Sequence, residues 1–470
     1  MTDDICLLTL SEQSKLIATR QLSAIELTDA HLRRIERLDG SLRSFLLVTA
    51  ERAQQDARNA EAEISKGQRR GPLHGIPIGL KDLIDTAGIA TTANSNVLAG
   101  RIPDRDATIA ARLREAGTVL LGKLHLNEFA TGKAYRDDSA PPPRNPWDVR
   151  RSAGGSSSGS AVATATGLVS AAIGSDTGGS IRAPAAWCGV VGFKPSYGLV
   201  SRRGVIALAW SLDHLGPLTR TVADAALVLQ SIAGHDPDDP GSASFAVPDY
   251  SAGLGGALNG LRVGVPSAFI ASLTHLEPDV RTSFGESLKV FRELGAKLVD
   301  VELPDFASIQ AIFLAICGAE SLSFHGGWVR TRKAAYGRGA WERLMQGLLY
   351  SGVEYVDAQR ARSALIRSLD DMQRGIDILA TPAMPRTAPT FEEYEAAPPL
   401  PRAPFLDLAN VIGAPAISVP CGFDRLGLPI GLNLMARRFE DAALLRAAAA
   451  FEQATGWHDR HPSLDGLTPS

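Results

Sequence analysis

Apolar positions recur at helical spacing through residues 8–66, and Ser23, Ala24, Ile25 and Glu26 have the form of a capping box. The helix it opens would carry Ile25, Leu32 and Ile35 on one face, so residues 1–66 are expected to form a helical arm packed on a body made of residues 67–470. After a polar turn at 67–71 the pattern changes: the apolar run 76–80 predicts a buried strand that delivers Lys81 and Asp82 at its end. An amphipathic helix over 106–116 and a strand over 118–121 follow, the rhythm of an α/β layer. The run 161–173 is apolar without a polar face and predicts a helix buried on all sides. Further on, 261–265, 280–294 and 297–301 read as a β-α-β unit. Strands are predicted over 416–420 and 429–434, joined by a turn at 424–427, with a closing helix over 441–454. The sum is an α/β fold with a mixed sheet, and Pro- and Gly-rich stretches at 139–146, 236–241 and 397–404 are expected to be surface loops.

A chain of 470 residues, 45% hydrophobic, can bury a large core, and length alone suggests two or three domains. Forty-eight basic against 51 acidic residues leave a net charge of -3, which supplies no basic field to draw in nucleic acid or an anionic membrane. Cys6, Cys188, Cys317 and Cys421 stand far apart with no metal-ligand spacing and read as reduced, mostly buried thiols. The N-terminal MTDDICLLTL is acidic where a secretory signal is basic, and its apolar patch is short, so a cytoplasmic location is expected. The run before Asp176 is long and uncharged, but it is rich in Gly, Ser and Thr and lacks flanking anchors, so no membrane span is expected there.

The most informative segment is 154–182, GGSSSGSAVATATGLVSAAIGSDTGGSIR, in which two serine-glycine clusters flank an apolar run. A flexible linker has no such run embedded in it. Gly155 to Gly159 satisfies the nucleophile-elbow pattern around Ser157, but an elbow follows a buried strand, and the preceding Pro141, Pro142, Pro143 and Pro146 do not make one. GTVLLGK at 117–123 starts like a phosphate-binding loop, yet Leu124 stands where Ser or Thr is required. None of the nine histidines lies beside a plausible nucleophile, and most read as surface residues. Lys81 can act as a base if burial keeps its amine neutral; otherwise it is a lysine paired with Asp82 or another carboxylate. The turn 176–182, DTGGSIR, can converge successive N–H groups on an oxyanion beside Ser180, although such a turn is also an ordinary one.

Taken together, Gly75-Ile76-Pro77 with Lys81-Asp82, Gly154 to Ser157, Gly174 to Arg182, and Gly189 to Pro195 resemble the amidase signature family in order and spacing. The likeness extends to Pro429-Ile430-Gly431-Leu432, with its core over about 75–225, and is weakest between about 235 and 400. It implies a single domain with a mixed central sheet covered on both faces by helices, in place of two or three domains. It implies a Ser-cisSer-Lys triad with Ser180 as nucleophile, Ser156 as bridge and Lys81 as base, and an oxyanion hole from Thr177, Gly178 and Gly179. Phe129, Thr131, Gly132 and Ser157 are candidates for the substrate pocket, and no metal or cofactor is required.

The family's branches are stand-alone amidases and carbamate or ureide hydrolases, the A subunit of glutamine-dependent tRNA amidotransferase, and membrane-associated fatty acid amide hydrolases. The amidotransferase branch carries an Asp seven residues before its N-L-A-G stretch; here Asn410-Val411-Ile412-Gly413 is preceded at that position by Ala403. The segment 127–138, NEFATGKAYRDD, lacks that branch's S-T-E-N-S, and Ser158 stands where many members have Gly. With no membrane anchor ahead of the domain, the expectation is a stand-alone hydrolase of small amides, carbamates or ureides, with no direct nucleic-acid or membrane partner. A homodimer is compatible with it, and the tRNA amidotransferase component is the alternative.

Overall fold

The computed structural model describes residues 4–136, 138, 140–397, 405–465 and 467. Its strands in chain order are β1 (Phe45–Val48), β2 (Pro77–Lys81), β3 (Val119–Leu124), β4 (Arg144–Asn145), β5 (Asp148–Ser152), β6 (Ala171–Asp176), β7 (Val191–Lys194), β8 (His214–Thr219), β9 (Arg262–Val265), β10 (Lys297–Asp300), β11 (Ile378–Pro382), β12 (Ala416–Phe423) and β13 (Pro429–Ala436). Eleven of them form one sheet in the order β1-β3-β2-β6-β8-β7-β12-β13-β11-β9-β10. β2 is parallel to both β3 and β6, and β9 to both β10 and β11. The other pairings are antiparallel, so the sheet is mixed, and helices flank it. One sheet runs through the whole chain, against the division that length alone suggests.

The predicted β-α-β unit is present as β9, the helix Pro278–Glu293 and β10, and the C-terminal hairpin as β12 and β13. The capping box closes as expected, with Ser23 Oγ accepting from Glu26 N at 3.0 Å. The helix it opens, Ala24–Leu42, buries Ala24, Leu27, Thr28, His31, Ile35 and Leu38, whereas Ile25 is 36% exposed. The first 66 residues are not wholly helical, because β1 adds antiparallel to β3 at the sheet edge.

The largest correction falls on 161–173. The helix Ser158–Ala165 stops there, Gly167 turns the chain at φ +65°, and the sequence re-enters the core as β6. Both pieces are buried on all sides, so neither leaves a polar face to mark its period. Part of the stretch 139–146 pairs as a hairpin, β4 with β5; positions 139 and 398–404 lie outside the described residues. All four cysteines are buried, and among the described residues no disulfide joins them.

The helix Phe306–Thr331 has no counterpart in the sequence reading. Among the described residues it alone is long and apolar enough to cross a membrane, yet half of its most apolar window is buried inside the fold. It brings Phe313 against the turn at Gly178.

Candidate active site

β2 and β6 lie side by side and parallel, and their carboxyl ends carry Lys81 and Ser175-Asp176. Crevices at such strand ends are where α/β folds bind ligands. Lys81 is fully buried, and its Nζ lies 2.7 Å from Ser156 Oγ, 2.9 Å from Ser157 Oγ and 2.8 Å from Ser175 Oγ. Asp82 is not its partner: that carboxylate faces Lys123 Nζ at 3.3 Å and accepts from Thr92 N and Oγ1. Burial pushes the Lys81 amine down to about 7, against the pull of Asp176 and Asp213. It is therefore neutral in a large fraction of molecules near neutral pH.

The hydrogen count constrains the cluster. Ser157 Oγ donates to Ser175 O at 3.0 Å, so toward Lys81 it only accepts. A neutral amine offers two hydrogens and one lone pair, so with three hydroxyls around it one of Ser156 and Ser175 donates to the nitrogen. Lys81 is thus placed to take a proton from a serine.

Ser156 and Ser157 precede the helix Ser158–Ala165, and the Gly155–Ser156 peptide is cis. Ser156 and Ser180 both line a cavity of about 600 Å³, together with Gly178, Gly179, Thr131 and Gly132. Ser157 N donates to Ser180 O at 3.1 Å, fastening the two clusters to each other. Among the described residues no hydrogen bond joins the Ser156 and Ser180 hydroxyls.

The turn that carries Ser180 is gripped from two sides. The Asp176 carboxylate accepts from Gly179 N (2.7 Å) and Ile181 N (3.1 Å) and is held by Arg182, Nε and Nη2 each at 3.0 Å. Burial raises this carboxyl, but Arg182 and Lys194 outweigh it and hold it well below the usual range. Asn410 closes the network, its Oδ1 accepting from Arg182 at 2.7 Å and its Nδ2 donating to Asp176 O at 2.8 Å. On the other side Thr177 Oγ1 donates to Asp213 Oδ1 at 2.6 Å, and burial raises that acid to about 6. No side chain fits at Gly178, where a Cβ would lie 2.7 Å from both Asp407 Oδ1 and the Phe313 ring.

Arg182 and Asp176 are both fully buried, so removing one deprives the other of its hydrogen-bonded counter-charge. Arg182→Met is expected to lower the free energy of unfolding by about 3–5 kcal/mol in urea titration. An unchanged midpoint would show that the pair does not hold this turn.

Not every expected site residue faces that cavity. The Gly179 N–H is directed at Asp176, and Thr177 lines a separate cavity of about 230 Å³ with Asp213 and Ser175. Among the described residues the N–H groups of Thr177, Gly178 and Ser180 have no acceptor. Phe129 and Ser157 are not on the wall of the cavity that Ser156 and Ser180 line. Phe129, at φ +50°, is packed among His325, Trp328 and Tyr336, with ring centroids 4.4, 5.9 and 5.8 Å away, and Ser157 is buried beneath the cavity against Lys81 and Ser175. His31, His74, His125, His214 and His325 are buried rather than on the surface.

Ser175 and Asn127 were missed in the sequence. Reading 161–173 as helix hid β6, whose carboxyl end lies beside that of β2 and brings Ser175 Oγ to 2.8 Å from Lys81 Nζ. Asn127 fixes the loop before the cavity, donating to Gly132 O at 2.9 Å, and its side chain occupies the space that a Cβ on Gly155 would need.

The Amidase family model matches residues 26–445. The A subunit of the glutamyl-tRNA(Gln) amidotransferase of Moorella thermoacetica is 41% identical over 485 aligned positions, covering 97% of this chain and 98% of its own. The native peptide amidase of Stenotrophomonas maltophilia superposes with a TM-score of 0.83 at 34% identity, over 97% of this chain and 98% of that one. A structure of a vestigial complex that reveals the origins of an s-triazine catabolic enzyme gives 0.88 at 32% identity, over 96% and 99%. With its mixed sheet, its serine-lysine cluster and a family match over most of its length, the chain belongs to the amidase signature family.

Proposed function

We propose that this chain hydrolyses the C–N bond of a small amide, carbamate or ureide through an acyl-serine on Ser180, with Ser156 as bridge and Lys81 as base. The observation that carries the reading is the buried Lys81 amine, lowered to about 7 and bonded at 2.7 Å to a serine that shares a cavity wall with Ser180. Neutral Lys81 takes the Ser156 proton while Ser156 takes that of Ser180, whose Oγ bonds to the carbonyl carbon as the carbonyl π electrons move to oxygen. The N–H groups of Gly178 and Ser180 receive the oxyanion, each worth roughly 3 kcal/mol. Collapse breaks the C–N bond, and the proton returns through Ser156 to the departing amine. Water, deprotonated by the same relay, then releases the acid.

The likeness to a peptide amidase supports release of an amine to solvent. A second reading, ammonia supply from glutamine as the A component of a tRNA-dependent amidotransferase, is favoured by the 41% identity to such a protein over nearly the whole chain. Against it stands Ala403 at the position where that branch carries Asp, a position outside the described residues.

The purified chain alone is expected to release nitroaniline or ammonia from at least one member of a panel of anilides, primary amides and carbamates. Inertness toward the whole panel, with glutaminase activity appearing only when partner proteins of an amidotransferase are added, would replace this reading by the second.

A further inference from the structure

A second cavity, of about 480 Å³, shares elements with the catalytic one but opens among arginines: Arg43, Arg136, Arg144 and Arg150 line it, with Phe391 and Glu392. Arg136 belongs to the segment whose Thr131, Lys133 and Tyr135 line the catalytic cavity, and the helix Phe391–Ala396 turns its other residues to that cavity. Two of the four guanidiniums are neutralised. Arg150 is bonded to Asp148, Nη2 to Oδ2 at 2.9 Å, and Arg136 is bonded to Glu392 and, Nη2 to Oε2 at 3.0 Å, to Glu395. Among the described residues, Arg43 and Arg144 have no carboxylate partner.

These two residues come from different elements that pack together. Arg43 caps the C-terminus of the helix Ala24–Leu42, and Arg144 stands on β4. They are close enough that Arg144, after burial, adds to the lowering of the Arg43 pKa. Arg43 has φ +60° and ψ +38°, a left-handed cap that glycine adopts without strain, so the backbone does not ask for arginine there. The helix dipole favours one cation at that end. It does not account for a second guanidinium brought to the same cavity from a strand.

Two like charges on one cavity wall, neither paired with a carboxylate among the described residues, are the arrangement that a multivalent oxyanion completes, since planar guanidiniums grip phosphate oxygens in pairs. The small extent of the cavity, lined by eight residues, and the net charge of -3 favour a compact anion over a nucleic acid, which needs an extended basic face. We infer that the cavity between Arg43 and Arg144 is a binding site for a small phosphate-class anion, either inorganic or the phosphoryl group of an ester, distinct from the serine-lysine site.

The test is isothermal titration of the full chain with inorganic pyrophosphate and, separately, with glycerol phosphate, in buffers matched for ionic strength with sodium chloride. Saturable 1:1 binding of either probe is expected, weakened at least tenfold in Arg144→Gln and in Arg43→Ser. Response to pyrophosphate alone assigns the free anion, and response to glycerol phosphate assigns the ester. Far-UV circular dichroism confirms folding of each variant, and Arg144→Lys, which keeps the charge but loses the fork, serves if the others do not fold; it is expected to bind more weakly than wild type. The proposal is overturned if neither probe binds beyond the sodium chloride control, or if the folded variants bind as tightly as wild type.

Discussion

Ser180→Ala is expected to lower kcat by about 10⁵- to 10⁶-fold toward any amide the chain turns over, the scale on which removal of a serine nucleophile acts in other hydrolases. KM should change little, because the hydroxyl is a small part of a cavity of about 600 Å³. The substitution leaves the turn intact: the Asp176 contacts run to the backbone of Gly179 and Ile181, and Ser157 N is bonded to the Ser180 carbonyl rather than to its side chain. Loss of activity with an unchanged melting temperature is thus the signature of a lost nucleophile. Retention of more than a few per cent of wild-type activity would place the attacking oxygen elsewhere, with Ser156 or Ser157 next to be tested.

Lys81→Ala should cost about 10⁴-fold in kcat/KM, the upper end of what a positioned base contributes. The pH profile gives the sharper reading. Only the neutral amine accepts a proton, so with the amine lowered to about 7, kcat/KM in the wild type should fall about tenfold per pH unit below 7 and level off above it. Asp176 and Asp213 are the charged groups that face Lys81 and hold its pKa up, while the Ser156, Ser157 and Ser175 hydroxyls are neutral throughout this range. Asp213→Asn, which removes one of those carboxylates, should move the acid limb to lower pH. Lys81→Arg, permanently protonated, should be as inactive as Lys81→Ala. An acid limb that persists in residual Lys81→Ala turnover would assign the titration to another group.

What the sequence revealed, and what it hid, follows from how each element meets solvent. Elements with one wet face were legible: the helix Pro278–Glu293 between β9 and β10, and the capped helix Ala24–Leu42, show their period because polar residues mark the outer side. Elements buried on all sides were legible only as short runs bounded by turns, as β2, β12 and β13 are; a longer apolar run carries no phase that would divide it. That is why 161–173 was read as one helix instead of a helix and the central strand β6, and why the half-buried helix Phe306–Thr331 was not foreseen. Ser156, Ser180 and Lys81 stand in motifs that are visible in the sequence. Ser175 escaped notice because its bond to Lys81 arises only once β6 lies beside β2, and the direction of the Gly179 N–H escaped because it depends on where the Asp176 carboxylate turns. The Arg43–Arg144 pair joins residues about a hundred positions apart, so no local pattern could announce it.

The central claim is that carbon–nitrogen cleavage passes through an acyl group on Ser180. The most direct measurement is peptide-resolved mass spectrometry after acid quench of the enzyme turning over a nitrophenyl ester or nitroanilide. The account predicts the acyl mass on the peptide bearing Ser180 in the wild type and no adduct in Ser180→Ala; an acyl group on Ser156 or Ser157, or an adduct that survives in Ser180→Ala, would contradict it.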